Sequence, residues 1–280
     1  MEIRELYLKG RESFEKNGFE CPGIETRAII AKSLGTDPME LYAHPERRVG
    51  PERTETFEKL LCRRLAGEPL AYVIGKREFY SRPFVVTPDV LIPRPETETL
   101  AELAVETAGQ MKSPCILDLG TGSGCLAVTL FLEAHNCEVF ASDISAAALS
   151  VAGRNARANG ACVRFVNSDL LDCFAKSSFD MIISNPPYVS EAEYAELSTQ
   201  IRSHEPRTAL LGGEDGLEYI RKIAATAGRV LREEGFLLLE IGAGQAEGAE
   251  RIIRENGFSN IRFQRDIGGI KRVVRATWKR

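Results

Sequence analysis

The chain has 280 residues, of which 44% are hydrophobic and 27% charged, with a net charge of −4. That balance suits a globular protein with one large and one small domain. It argues against a broad basic footprint for nucleic acid, and no apolar run approaches the roughly 18 residues of a membrane span.

The first seventy residues read as helices. Ile3, Leu6, Tyr7 and Phe14 form an apolar stripe that stops at Asn17-Gly18. Thr26 to Leu34 predicts a second helix closed by Gly35, and Asp37-Pro38-Met39-Glu40 has the residue order of a capping-box start. Pro51 to Ala66 carries Phe57, Leu60, Leu61 and Leu65 on one face and ends at Gly67. Nothing here carries chemistry; a self-packing bundle and a partner-docking module both fit.

From Leu70 to Leu91 the texture is β-like. Ala71-Tyr72-Val73-Ile74-Gly75 and Phe84-Val85-Val86-Thr87 predict a hairpin or paired linker. Leu91 to Glu98 is a stiff connector in which Pro95 suits a first helical position and Glu96 and Glu98 suit the helix dipole. The expected domains are 1–70, a linker at 71–92, and 93–280.

From Pro114 strands and helices alternate, as a doubly wound parallel sheet requires. Cys115 to Leu119 is a buried strand that runs into Gly120-Thr121-Gly122-Ser123-Gly124 and a helix from Cys125. This Gly-x-Gly-x-Gly spacing is neither the dinucleotide fingerprint nor a nucleophile elbow. Glu138 to Ser142 forms the next strand, with Asp143 at its carboxyl end. There Asp143 is placed to accept from both hydroxyls of a ribose, or else to cap the helix that follows. Val163 to Val166 ends in Asn167-Ser168-Asp169-Leu170, where an adenine edge would lie. Phe179 to Ile183 leads into Ser184-Asn185-Pro186-Pro187-Tyr188. Two prolines end the strand and hold Asn185 extended, so a carbonyl and an amide oxygen stand side by side as acceptors for an NH2 group.

Gly235 to Ile241 is a fifth buried strand, followed by the turn Gly242-Ala243-Gly244. Ile261–Gln264 and Arg272–Ala276 read as a closing hairpin. The seven cysteines are scattered without a Cys-x-x-Cys, and Met1 to Glu5 lacks the order of a signal peptide, so a cytoplasmic location is expected. His44, His135 and His204 lie far apart without ligand spacing, so no metal site is expected. With no phosphate-binding lysine, the implied ligand is a nucleoside head with an amino-acid tail, and Asp118, Glu96 and Glu98 are compatible with its ammonium.

Leu117 to Gly124 resembles the first motif of class I S-adenosylmethionine-dependent methyltransferases, and Asn185-Pro186-Pro187-Tyr188 the fourth motif of those that methylate planar nitrogens. Gly67 to Tyr72, Ile92 to Glu98, and Glu205-Pro206 through Ala209-Leu210 and Gly212-Gly213 to Leu217 resemble the peptide-chain release factor glutamine N5-methyltransferases over essentially the whole chain. The resemblance implies a Rossmann-like, mostly parallel α/β sheet with an antiparallel carboxyl-terminal hairpin, plus a small helical domain that helps dock the release factor. It also implies S-adenosylmethionine held by Gly120, Thr121, Gly122, Ser123, Gly124, Asp143, Leu170 and Asn185. The glutamine of a Gly-Gly-Gln loop of class I release factors would then be bound by Asn185, Pro186, Pro187 and Tyr188. One departure is Leu170, where some members carry an aromatic ring against adenine.

On this reading Asn185 and the Pro186 carbonyl aim the amide nitrogen at a sulfonium methyl, and Tyr188 packs over the amide plane. Positioning and electrostatics carry the displacement, and no dedicated base is needed. Two other readings are a nucleic-acid adenine or guanine amino-methyltransferase and a non-catalytic S-adenosylmethionine-binding protein. The acidic balance weighs against the first and the intact corner against the second.

Overall fold

The computed structural model describes residues 1–279. From the amino end, α1 (Ile3–Lys16), α2 (Pro22–Leu34), α3 (Glu40–Ala43), α4 (Pro51–Leu65) and α5 (Leu70–Ile74) precede a hairpin of β1 (Lys76–Phe79) and β2 (Arg82–Val85). Next come α6 (Thr97–Gly109), β3 (Cys115–Leu119), α7 (Cys125–Glu133), β4 (Glu138–Asp143), α8 (Ala146–Asn159), β5 (Arg164–Asn167) and β6 (Phe179–Ser184). The chain continues through α9 (Glu191–Glu196), α10 (Thr199–His204), α11 (Glu218–Val230), β7 (Leu231–Glu240), α12 (Ala246–Glu255), β8 (Phe258–Arg265) and β9 (Lys271–Trp278). It divides into two compact units, Met1–Lys76 with Thr199–His204, and Arg77–Ser198 with the chain from Glu205 onward.

In the first unit the apolar stripes of α1, α2 and α4 meet around Leu6, Phe14, Ile29, Ile30 and Phe57, all fully buried. Arg64 on α4 forks onto both carboxylate oxygens of Glu25 on α2, at 2.8 and 2.9 Å. Two expectations are corrected here. Ala71 to Ile74 is helical, not extended: Pro69 opens the turn and Gly75, at φ +75, closes it. The helix places Leu70 and Val73, three residues apart, against the same core, and this packing overrides their β preference. Asp37 does not cap a helix through a capping box. Its side chain accepts from the Met39 N–H at 2.7 Å in an Asx turn, and helix begins only at Glu40.

In the second unit the strand order is β5-β4-β3-β6-β7-β9-β8. The pairs from β5 through β7 are parallel, and β9 is antiparallel to both β7 and β8. Period-two alternation supplies both faces. Leu117, Ile182, Leu237 and Leu239 enter one core with α11 and α12, whereas Ile116, Met181, Ile183 and Leu238 enter the other with α6 and α7. Helix α6 starts at Thr97 rather than Pro95, with Glu96 at its cap. Strand order reverses at β3 and β6, so their carboxyl ends open the crevice where such sheets bind ligands.

Candidate active site

The glycine loop is tied down at each turn. Asp118, fully buried on β3, accepts from the Thr121 hydroxyl at 2.6 Å and the Ala127 N–H at 3.1 Å. Gly120 and Thr121 donate to the Ser142 carbonyl at 2.8 and 2.9 Å. Gly122 sits at φ +54, and a side chain added there would meet no atom within 4 Å, because it would project into open cavity. Gly124 differs: an added methyl would lie 3.0 Å from the Ala152 Cβ, so this glycine lets α7 approach α8.

Asp143 faces the loop. One carboxylate oxygen accepts from the Gly122 N–H and the other from the Ser145 N–H, both at 2.9 Å. It is not the cap of α8; Ser145 fills that role, accepting from Ala148. These groups line one cavity of about 460 Å³, together with Pro88 to Leu91, Ser168 to Leu170 and Asn185 to Pro187. Leu170 holds φ +44, a left-handed conformation that costs a bulky residue on the order of 1–3 kcal/mol and puts it in the cavity wall.

The corner after β6 is braced from several sides. The Ser184 hydroxyl donates to the Leu119 carbonyl at 2.7 Å, stitching β6 to β3 at the crevice. The Asn185 amide NH2 donates to the Thr97 hydroxyl at 3.0 Å. Gln245 donates to the Tyr188 carbonyl at 2.8 Å and accepts from the Gly242 N–H at 2.9 Å. Val189 and Leu211 form a parallel bridge. With its nitrogen engaged by Thr97, Asn185 has its oxygen left over as an acceptor, and the residue lines the cavity beside Pro186.

Two buried acids stand by the strand ends. Burial pushes Asp118 up to about 7, although its bonds from Thr121 and Ala127 pull the other way. Glu240, at the end of β7 and 0% exposed, is likewise raised by burial to about 7. The hydroxyls of Thr97 and Tyr188 and the charge of Arg272 pull it back, yet neither carboxylate oxygen has a donor in hydrogen-bonding geometry. Burial, then the neighbouring Glu240, raises the Tyr188 phenol above its ordinary value.

Of the residues expected from sequence, Gly120, Thr121, Gly122, Ser123, Asp143, Leu170, Asn185, Pro186 and Pro187 line the cavity together. Gly124 and Tyr188 are not in its wall. Tyr188 borders Gly242, and its phenol neighbours Glu240 instead. Asp118, Glu96 and Glu98 are also outside the lining: Asp118 holds the loop, and Glu98 accepts from the Tyr80 N–H at 2.9 Å at the hairpin turn. Sequence reasoning gave no role to Thr97, Gln245, Glu240 or the pair of half-buried Arg94 with buried Glu205 at 2.6 Å. Arg94, Thr97 and Glu205 did lie in the stretches that carry the family resemblance, and Glu240 left a signal as a carboxylate ending an apolar run.

An open sheet of this order, with a glycine loop after its first strand and an acid after its second, defines the class I methyltransferases. Residues 97–207 match the model of the methyltransferase small domain, and residues 5–75 that of the PrmC N-terminal domain. The fold is shared with a methyltransferase from Pyrococcus furiosus at TM-score 0.55 and 17% identity, over 80% of this chain and 100% of that one.

The chain is 40% identical over 279 residues to the release factor glutamine methyltransferase of Nitratidesulfovibrio vulgaris, covering 97% of this chain and 94% of that protein. It is 42% identical to the protein of that name from Bordetella pertussis, over 90% and 93%. The chain belongs to the release factor glutamine methyltransferase family.

Proposed function

We propose that this enzyme transfers a methyl group from S-adenosylmethionine to the side-chain amide nitrogen of the glutamine in the Gly-Gly-Gln loop of class I release factors. The observation that carries the chemistry is the Asn185 amide, its nitrogen engaged by Thr97 and its oxygen free for the cavity beside Pro186. The substrate rests on the family to which the chain belongs.

The donor supplies a methyl made electrophilic by a sulfonium. The open backbone at Gly120 and Gly122 gives its amino-acid portion a close approach, and Asp143 is placed for ribose hydroxyls. Leu170 offers adenine an aliphatic face. An amide nitrogen is a weak nucleophile because its lone pair is shared with the carbonyl. Asn185 Oδ1 and the Pro186 carbonyl each accept one N–H, which aims the nitrogen and favours the charge it gains as the new N–C bond forms. The C–S bond breaks, the thioether leaves, and the acidified N–H loses its proton to water. Tyr188 supports the corner from behind.

The release factor is the protein partner, docked in part by the helical amino-terminal unit. That unit exposes Leu8, Ile24, Met39 and Tyr42. The domains are read as 1–70 for docking, 71–92 as linker and 93–280 for methyl transfer.

Asn185→Ala tests the acceptor role. Turnover is expected to fall on the order of a hundredfold, with S-adenosylmethionine affinity by calorimetry nearly unchanged. Near-normal turnover in this variant contradicts the role.

A further inference from the structure

Four charged side chains line the cavity: Asp89, Asp143, Asp169 and Arg94. Three are carboxylates, so among the described residues Arg94 is the one cation in that wall.

Arg94 is pinned through both backbone and side chain. Pro93 and Pro95 flank it, each with its own φ fixed, and Pro95 also holds Arg94 out of the helical region. Its Nη2 donates to Glu205 Oε1 at 2.6 Å, and Glu205 Oε2 accepts from the Ile92 N–H at 3.4 Å. The Glu205 side chain is only 1% exposed, and that of Arg94 is 29% exposed. The acid is therefore buried behind the connector while the guanidinium reaches the cavity wall. A guanidinium carries five N–H donors in a rigid plane. Among the described residues, Glu205 is the one hydrogen-bond partner of Arg94, so most of its donors are unspent.

S-adenosylmethionine carries one anion, the α-carboxylate of its amino-acid tail, beside an ammonium and a sulfonium. In this cavity that carboxylate has one charged partner of opposite sign. Arg94 lines the same space as Gly120 to Ser123, the loop that gives the tail its close approach. A carboxylate taken from water without a partner weakens binding, and a charge-assisted N–H bond offsets that loss.

We propose that Arg94 binds the α-carboxylate of S-adenosylmethionine and that Glu205 is a positioning residue that holds the guanidinium ready for it. This rests on the reading of S-adenosylmethionine as the methyl donor. Glu205 takes one N–H and fixes the direction of the others, which lowers the ordering cost of binding. The carboxylate is unchanged by methyl transfer, so Arg94 contributes to donor affinity and KM rather than to kcat.

Calorimetry on the full-length protein tests this with S-adenosylmethionine and its decarboxylated analogue, which lacks only the carboxylate. Wild type is expected to bind S-adenosylmethionine about tenfold or more tighter than the analogue. Arg94→Met is expected to bring the two affinities within about twofold, by weakening S-adenosylmethionine and leaving the analogue alone. Arg94→Lys, which keeps the charge without the fork, should retain part of the preference. Arg94→Met leaves the Glu205 charge buried without a partner. If that variant does not fold, Arg94→Met combined with Glu205→Met, which removes the pair together, takes its place.

A full preference for S-adenosylmethionine in either form overturns the proposal, because the carboxylate is then read elsewhere. Equal loss for both ligands overturns it too, and makes Arg94 a clasp for the connector alone. Wild type that binds S-adenosylmethionine without preferring it to the analogue sinks this proposal and spares the donor reading. Wild type that binds neither ligand sinks the donor reading, and the role of Arg94 with it.

Discussion

Asp143 uses each carboxylate oxygen once on the backbone, at Gly122 and at Ser145, so it shapes the glycine loop while facing the cavity. Asp143→Ala is therefore expected to weaken S-adenosylmethionine binding at least about tenfold, through the lost acceptor and the loosened loop together. Calorimetry that returns wild-type affinity would remove Asp143 from the binding site. Asp118 makes a different prediction. Its carboxyl binds a proton more tightly in the folded chain, at about 7 against an ordinary 3.8. Its favourable contribution is thus complete below about pH 4 and is lost as pH rises toward 7. Asp118→Asn, which cannot ionise, should gain on the order of 4 kcal/mol over wild type between acid and pH 8, read by urea unfolding at several pH values. A wild-type-to-variant difference that does not change with pH contradicts this. At the residue scale the sequence named the backbone formers well, since glycines and prolines declare their geometry locally. It missed Thr97 and Gln245, because a threonine in a first helical turn and a glutamine after a turn look the same whether or not a distant strand end needs them.

Elements were legible where pattern and packing agree. The buried strand Cys115–Leu119 read correctly, and the run Phe179 to Ile183 fell one residue short of the strand Phe179–Ser184, because a short apolar run has few other uses in an alternating chain. The stretch Leu70–Ile74 did not, since tertiary contact with the helical core outweighed its β-branched residues. The loop before α11 shows how far elements away from the chemistry hold the corner. A methyl added at Gly212 would lie 2.6 Å from the Pro187 carbonyl oxygen and 2.8 Å from the Tyr188 Cα. These are backbone atoms that cannot rotate aside. Gly212→Ala should therefore cost about 1–3 kcal/mol and lower kcat more than S-adenosylmethionine affinity, because the strain falls on the corner and not the glycine loop. Equal loss in kcat and affinity would place the damage elsewhere.

For the whole molecule, the parallel sheet followed from alternation and the closing hairpin from two runs flanking Gly268-Gly269, whereas the strand order and the purpose of the helical unit did not. Its exposed Leu8 and Ile24, at 63% and 64%, are chemically unremarkable singly. If that unit docks the release factor, Leu8→Glu combined with Ile24→Glu should raise KM for intact release factor several-fold, of the size expected for losing two apolar contacts. It should leave kcat and cofactor affinity alone. No change in KM would move docking off these side chains.

On the proposed function, the Asn185–Tyr188 corner grips a protein glutamine. Labelled S-adenosylmethionine offered to the enzyme with a class I release factor, with RNA and with DNA, followed by mass-spectrometric mapping, tests it directly. One methyl is expected on the side-chain nitrogen of the Gly-Gly-Gln glutamine, and on the order of a hundredfold less in the Asn185→Ala reaction over the same time. Label on nucleic acid alone, or on another residue of the release factor, contradicts it.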